Sequence, residues 1–173
     1  MANKKIYRWI ALGAAVLALL ALIMAFVPTV SLNIGTETKK FSAFSVAFGG
    51  VIAAESGATL KFTFNFVGFL ALILFVPGFV LAIVGAAKSE GKKAISIVSA
   101  VFLILSAILM FLLLTLSNLK MTIPGMGSET TKLLGNEAKS AYAVKSMAGS
   151  VLYGVMALLS GVASIVSAVF NKN

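Results

Sequence analysis

TLKFTFNFVGFLALILFVPGFVLAIVGAA, residues 59–87, decides the fold. Its opening alternates, with Leu60, Phe62, Phe64 and Phe66 on one side and Lys61, Thr63 and Asn65 on the other. Alternation over this length is the pattern of a half-buried β-strand. From Phe62 to Ala87 there is no charged residue. A run of that length can cross the ~30 Å hydrocarbon core of a bilayer as a helix. A strand spliced onto a membrane helix divides the chain into a part solvated by lipid and a part that faces water. The water-facing part is where a partner would be met.

Working outward, the same contrast recurs. Hydrophobic residues make up 60% of the 173 and charged residues only 11%, with a mean hydropathy of +1.07. Soluble domains carry about 25% charged residues. Charges are absent from 9–36, 62–87, 94–119 and 146–171, and each run holds enough apolar residues for one crossing. Four membrane helices are expected, at about 7–27, 67–87, 94–118 and 143–170. The first apolar run, 10–27, exceeds the ~7–15-residue core of a signal peptide, and no A-x-A site follows it, so it reads as a retained helix.

The chain has no cysteine and no histidine, which excludes disulfides and thiolate metal sites and removes the commonest general base. Neither GGVIAA (49–54) nor GMGSETTK (125–132) has the spacing of a phosphate-binding loop. No Asp, Glu, Lys or Arg falls inside a hydrocarbon span, where such residues mark proton relays and substrate sites. No enzyme, cofactor or metal site is expected. The net charge of +9 comes from lysines that flank the spans, so the expected anionic partner is membrane lipid, not nucleic acid. Thirteen of the fourteen cations are Lys and only Arg8 is Arg, a bias common in AT-rich bacterial genomes.

Orientation follows from where the cations are dense. Lys4, Lys5, Arg8, Lys88, Lys92, Lys93 and Lys172 fall on one side, and Lys39, Lys40, Lys61, Lys120, Lys132, Lys139 and Lys145 on the other. The numbers tie, but the first set is packed against helix ends in the termini and the short loop 88–93. Short loops carry the positive-inside bias. Both termini and that loop are therefore expected in the cytoplasm of a cell-membrane protein, with segments 28–66 and 119–142 external.

In lipid, helices associate through small residues that let backbones approach. Ala11, Ala14, Ala18, Ala21 and Ala25 form one such seam; Ser150, Gly154, Ala157, Gly161, Ser164 and Ala168 form another. Both have the 3.5-residue period of a left-handed supercoil. The expected fold is a left-handed all-α four-helix bundle carrying a small extracellular antiparallel sheet of three to four strands. Pro77-Gly78 should kink the second helix, as a hinge or a fixed bend.

The external segments carry strand signals at 30–34, 44–48 and 60–66, with turns at GTETKK and at Gly49-Gly50. Residues 120–123 read as a fourth strand, and Asn136-Glu137 as the cap and first turn of the last helix. GGVIAA has neither caps nor alternation. Gly49, Gly50, Val51 and Ile52, with Phe62 and Phe64, are therefore the candidate partner-contact residues, unless they simply pack among themselves.

Four spans, a long β-rich first external segment, a short cytoplasmic loop and a shorter second external segment resemble the tetraspan plan of claudins and peripheral myelin proteins. The resemblance covers the layout of the whole chain. The first external segment here has no Trp and no Cys, and Trp9 stands instead at the cytoplasmic boundary. The resemblance implies assembly through the external sheet, with copies of itself or another membrane protein. A structural scaffold or accessory subunit is thus the leading expectation. The alternatives are an oligomeric channel lined by Ser96, Ser99, Ser106, Thr115, Ser146, Ser150, Ser160 and Ser167, and a sensor or immunity-type protein that adds an external peptide to its sheet edge.

Overall fold

The structure is a computed structural model that describes the backbone of residues 2–55, 58–87 and 93–170. It separates into two units. One comprises Met1–Met24, Leu70–Leu109 and Leu152–Asn173; the other comprises Ala25–Phe69 and Met110–Val151.

Among the described residues, four helices are long and apolar enough to cross a membrane: α1 (Ala2–Met24, from Ile6 onward), α3 (Phe66–Ala87), α4 (Lys93–Leu112) and α6 (Gly149–Phe170). Between α1 and α3 lie β1 (Pro28–Ile34), β2 (Glu37–Ser42), the short helix α2 (Ala43–Phe48), β3 (Gly50–Glu55) and β4 (Ala58–Phe62). Between α4 and α6 lie β5 (Asn118–Ile123), β6 (Gly127–Lys132), α5 (Asn136–Tyr142) and β7 (Lys145–Ser146). Residues 88–92 of the expected cytoplasmic loop lie outside the described residues.

In the helical unit, polar side chains bond to neighbouring backbone and close the four helices into a ring. Tyr7 Oη donates to the Gly85 carbonyl (3.1 Å), joining α1 to α3. Ser99 Oγ donates to the Gly78 carbonyl (2.8 Å) and Ser106 Oγ to the Ala71 carbonyl (2.8 Å), joining α4 to α3. The Ser106 and Tyr153 hydroxyls join α4 to α6, and Ser160 Oγ donates to the Ala14 carbonyl (2.7 Å), joining α6 to α1. The small residues make room for these bonds. Ala11, Ala14, Ala18 and Ala21 are all buried, as are Gly154, Ala157 and Gly161. A Cβ on Gly161 would stand 2.7 Å from Ile104 Cγ1 and 3.2 Å from the Ala100 carbonyl. Pro77 lies inside a helix that runs unbroken from Phe66 to Ala87. Beside it, a Cβ on Gly78 would come within 2.9 Å of Leu103 Cγ. The Pro77-Gly78 site is thus packed tightly against α4.

The second unit holds two antiparallel sheets, ordered β2-β1-β7 and β3-β4-β5-β6, in place of the single sheet expected. Gly35, at φ +59°, opens the two-residue turn that pairs Ile34 with Glu37. Pro124-Gly125 forms the β5–β6 turn, in which Gly125 takes φ +80° and Met126 N donates back to the Ile123 carbonyl (3.1 Å). Val30, Leu32, Ile52, Leu60, Phe62, Leu119 and Leu133 are buried, and the Phe41 and Phe62 rings meet edge-on at 5.1 Å.

Four expectations are corrected here. Residues 44–48 are helical: Ser42 Oγ accepts from Ser45 N, and Ala43, Val46 and Ala47 form a buried stripe. The 44/48 repeat read as strand alternation fits i, i+4 helical spacing equally well. GGVIAA (49–54), which shows neither caps nor alternation, falls for the most part in strand β3. The strand ending at Phe66 stops at Phe62. Finally, the last helix does not begin near Glu137; Ala143 takes a left-handed conformation (φ 42°, ψ 46°), ending α5 there, and α6 starts at Gly149.

Candidate interaction surface

Strand register builds one face of the four-stranded sheet. Ala53, Leu60, Met121 and Glu129 stand opposite one another across β3, β4, β5 and β6, and Phe62, Leu119 and Thr131 form the next row. Partners directly opposite share a face, as do residues two apart along a strand. Helix α5 contributes Glu137, Ala138, Ala141 and Tyr142 beside this face. The result is a cleft of about 410 Å³, with Leu60, Leu119 and Met121 as its apolar lining and Glu129 and Glu137 as its acids. An adjoining cleft of about 310 Å³, reaching Ile34, Ala53 and Thr59, shares Leu60, Met121 and Tyr142 with it, so the two form one trough. Tyr142 Oη donates to Met121 Sδ (3.4 Å) within it.

The opposite face carries the row Val51, Lys61, Lys120, Thr130. Lys61 and Lys120 are direct cross-strand partners of like charge, and Val51 is 65% exposed at the sheet edge. The candidate contact residues therefore separate. Val51 and Phe64 are exposed and Gly50 lies at the surface, whereas Ile52 and Phe62 are buried in the unit's core. Gly49 has a conformational role: at φ +73° its Cβ position lies 2.9 Å from the Phe62 carbonyl, where a side chain would not fit.

Sequence reasoning missed Asn65, which alternation alone placed on the outer face of a strand. It is buried and caps α3, its Oδ1 accepting from Val67 N (3.0 Å) and Gly68 N (3.1 Å). Its Nδ2 donates to the Leu113 carbonyl (3.1 Å) and Ser117 Oγ (2.8 Å). The signal was present as Asn immediately before an apolar helical run, and the strand pattern overrode it.

Of the serines proposed to line a pathway, Ser96, Ser99, Ser106, Ser160 and Ser167 are buried inside one bundle. Ser96, Ser164 and Ser167 border an internal space of only about 10 Å³, the size of one water. No protein-family model matches the chain, and no curated protein or solved structure is significantly similar to it.

Proposed function

We propose that this is a multi-pass protein of the cell membrane, with cytoplasmic termini and a left-handed bundle, whose external β-module serves as an assembly surface. It acts as a structural scaffold or accessory subunit, joined through the module to copies of itself or to another membrane protein. The observation that carries this reading is the trough of Leu60, Met121 and Tyr142 flanked by Glu129 and Glu137. It is an apolar recess with charged margins, the make-up of a protein contact. Ser99, Ser106 and Ser160, which are buried and bond carbonyls of neighbouring helices, support a structural role for the bundle, since a pathway lined by them would require the ring to open. The claudin-like layout supports assembly through the external segments.

Because the chain has no cysteine, single-cysteine cross-linking tests this cleanly. Thr131→Cys or Ala141→Cys at the trough should give a discrete cross-linked species in native membranes, and Met121→Lys should abolish it. Monomeric particles that are never cross-linked from either position would refute assembly through this surface.

A further inference from the structure

The second unit carries a ladder of phenylalanines that no core absorbs. Phe26 stacks on Phe44 (centroids 4.8 Å apart), and Phe44 stacks on Phe48 (5.7 Å). Phe48 meets Phe69 edge-on (5.7 Å), and Phe69 meets Phe64 (5.3 Å). Phe26, Phe48 and Phe64 are nonetheless about half exposed or more, as is Phe66 beside them. The short helix α2 shows why. It buries Ala43, Val46 and Ala47 and turns its two phenylalanines the other way.

Covalent continuity fixes the depth of this ladder. Phe26 lies two residues beyond the end of α1, and Phe69 lies in the first turn of α3. Both helices are of membrane-crossing length and composition. The rings stacked between them, Phe44 and Phe48, must lie at the same level. Residues 41–54 contain no charge, so no charged side chain of that segment opposes its burial among acyl chains.

We infer that α2 and its phenylalanine ladder form an interfacial foot, seated among the lipid acyl chains of the leaflet on the module's side. Several half-exposed phenylalanines in one contiguous patch are unfavourable in water and favourable in lipid. Phenylalanine has no polar tip to keep it among headgroups, unlike the exposed Trp9 of α1. The foot is thus expected below the headgroups, lying along the membrane plane. This inference rests on the membrane placement proposed above, and its test separates the two.

With Trp9→Phe as background, single tryptophans are introduced by Phe48→Trp, Phe64→Trp, Ile108→Trp and Met126→Trp, and the full chain is placed in vesicles containing acyl-brominated phosphatidylcholine. Ile108 is an exposed residue of α4 and reports membrane insertion itself; Met126, 84% exposed in the β5–β6 turn, reports water. The inference expects strong quenching at 108, quenching several-fold above the Met126→Trp level at 48 and 64, and acrylamide access at 126 alone. Quenching at 108 with none at 48 or 64 overturns the foot and leaves the membrane reading standing. In that case acrylamide access at 48 shows a water-facing patch, and protection from both quenchers shows a protein cover. Absence of quenching at 108 overturns both.

Discussion

The hydroxyl groups of Ser106 and Tyr153 lie 2.8 Å apart in the middle of the helical ring, and Ser106 Oγ also lies 2.8 Å from the Ala71 carbonyl. A serine has one proton to give, and a carbonyl can only accept. Ser106 therefore donates to Ala71, and Tyr153 donates to Ser106. The order of donors makes the two partners unequal. Tyr153→Phe removes one hydrogen bond and leaves no polar atom stranded, a loss of about 0.5–1.5 kcal/mol. Ser106→Ala strands the tyrosine hydroxyl and should cost about 1–3 kcal/mol. The double variant should be more stable than the sum of the two losses implies. Unfolding in mixed detergent micelles measures all three. Equal losses would contradict this donor order.

Glycine substitutions should follow the space around each site. Gly13 has nothing within 4 Å of its Cβ position, so Gly13→Ala should be neutral or stabilising by up to ~1 kcal/mol. Gly161→Leu, pressed against Ile104 and the Ala100 carbonyl, should destabilise by at least ~2 kcal/mol. A thermal melt in detergent ranks them, and a larger loss at 13 than at 161 would contradict the packing described.

Asn65 holds four bonds at once, two as a helix cap and two across to 113 and 117. Asn65→Ala loses all of them and should cost about 2–4 kcal/mol. Asn65→Asp keeps the capping oxygen but loses both donors, and should fall between alanine and the parent. Limited proteolysis of 58–70 and 113–120 gives a second readout, with faster cleavage expected in both segments.

The Lys61–Lys120 pair should be improvable. Like charges directly opposite on a sheet repel, so Lys120→Glu should gain about 0.2–1 kcal/mol, and the gain should shrink as salt is added. A melting temperature lower than the parent's at low salt would show that the two ammonium groups already have a shared anionic partner.

The long helices were legible because lipid imposes a simple demand: an absence of charge over about 20 residues. Within the segments between the helices that demand vanishes and short patterns become ambiguous. Phe44 and Phe48 fit a strand or a helix, and only the cap at Ser42 and the stripe of Ala43, Val46 and Ala47 decide. Strand β6, GSETTK, has no apolar alternation to show because it is exposed almost throughout, and pairing with β5 alone makes it a strand. The break at Ala143 has no sequence signal, since alanine is among the best helix formers. The trough was invisible for a related reason: Leu60, Met121 and Glu129 are far apart in sequence and meet only through register.

Ser160 and Ala14, whose bond closes the ring between α6 and α1, are separated by 146 positions in the chain. During synthesis the alanine seam of α1 is complete long before its partner in α6 exists. Until α6 is made, the Ala14 carbonyl keeps its bond within α1 but lacks the serine hydroxyl that ties the first helix to the last. A chain cut before Gly149 lacks both bonds that α6 makes, to Ser106 of α4 and to Ala14 of α1, and so leaves the ring open between its first and fourth members.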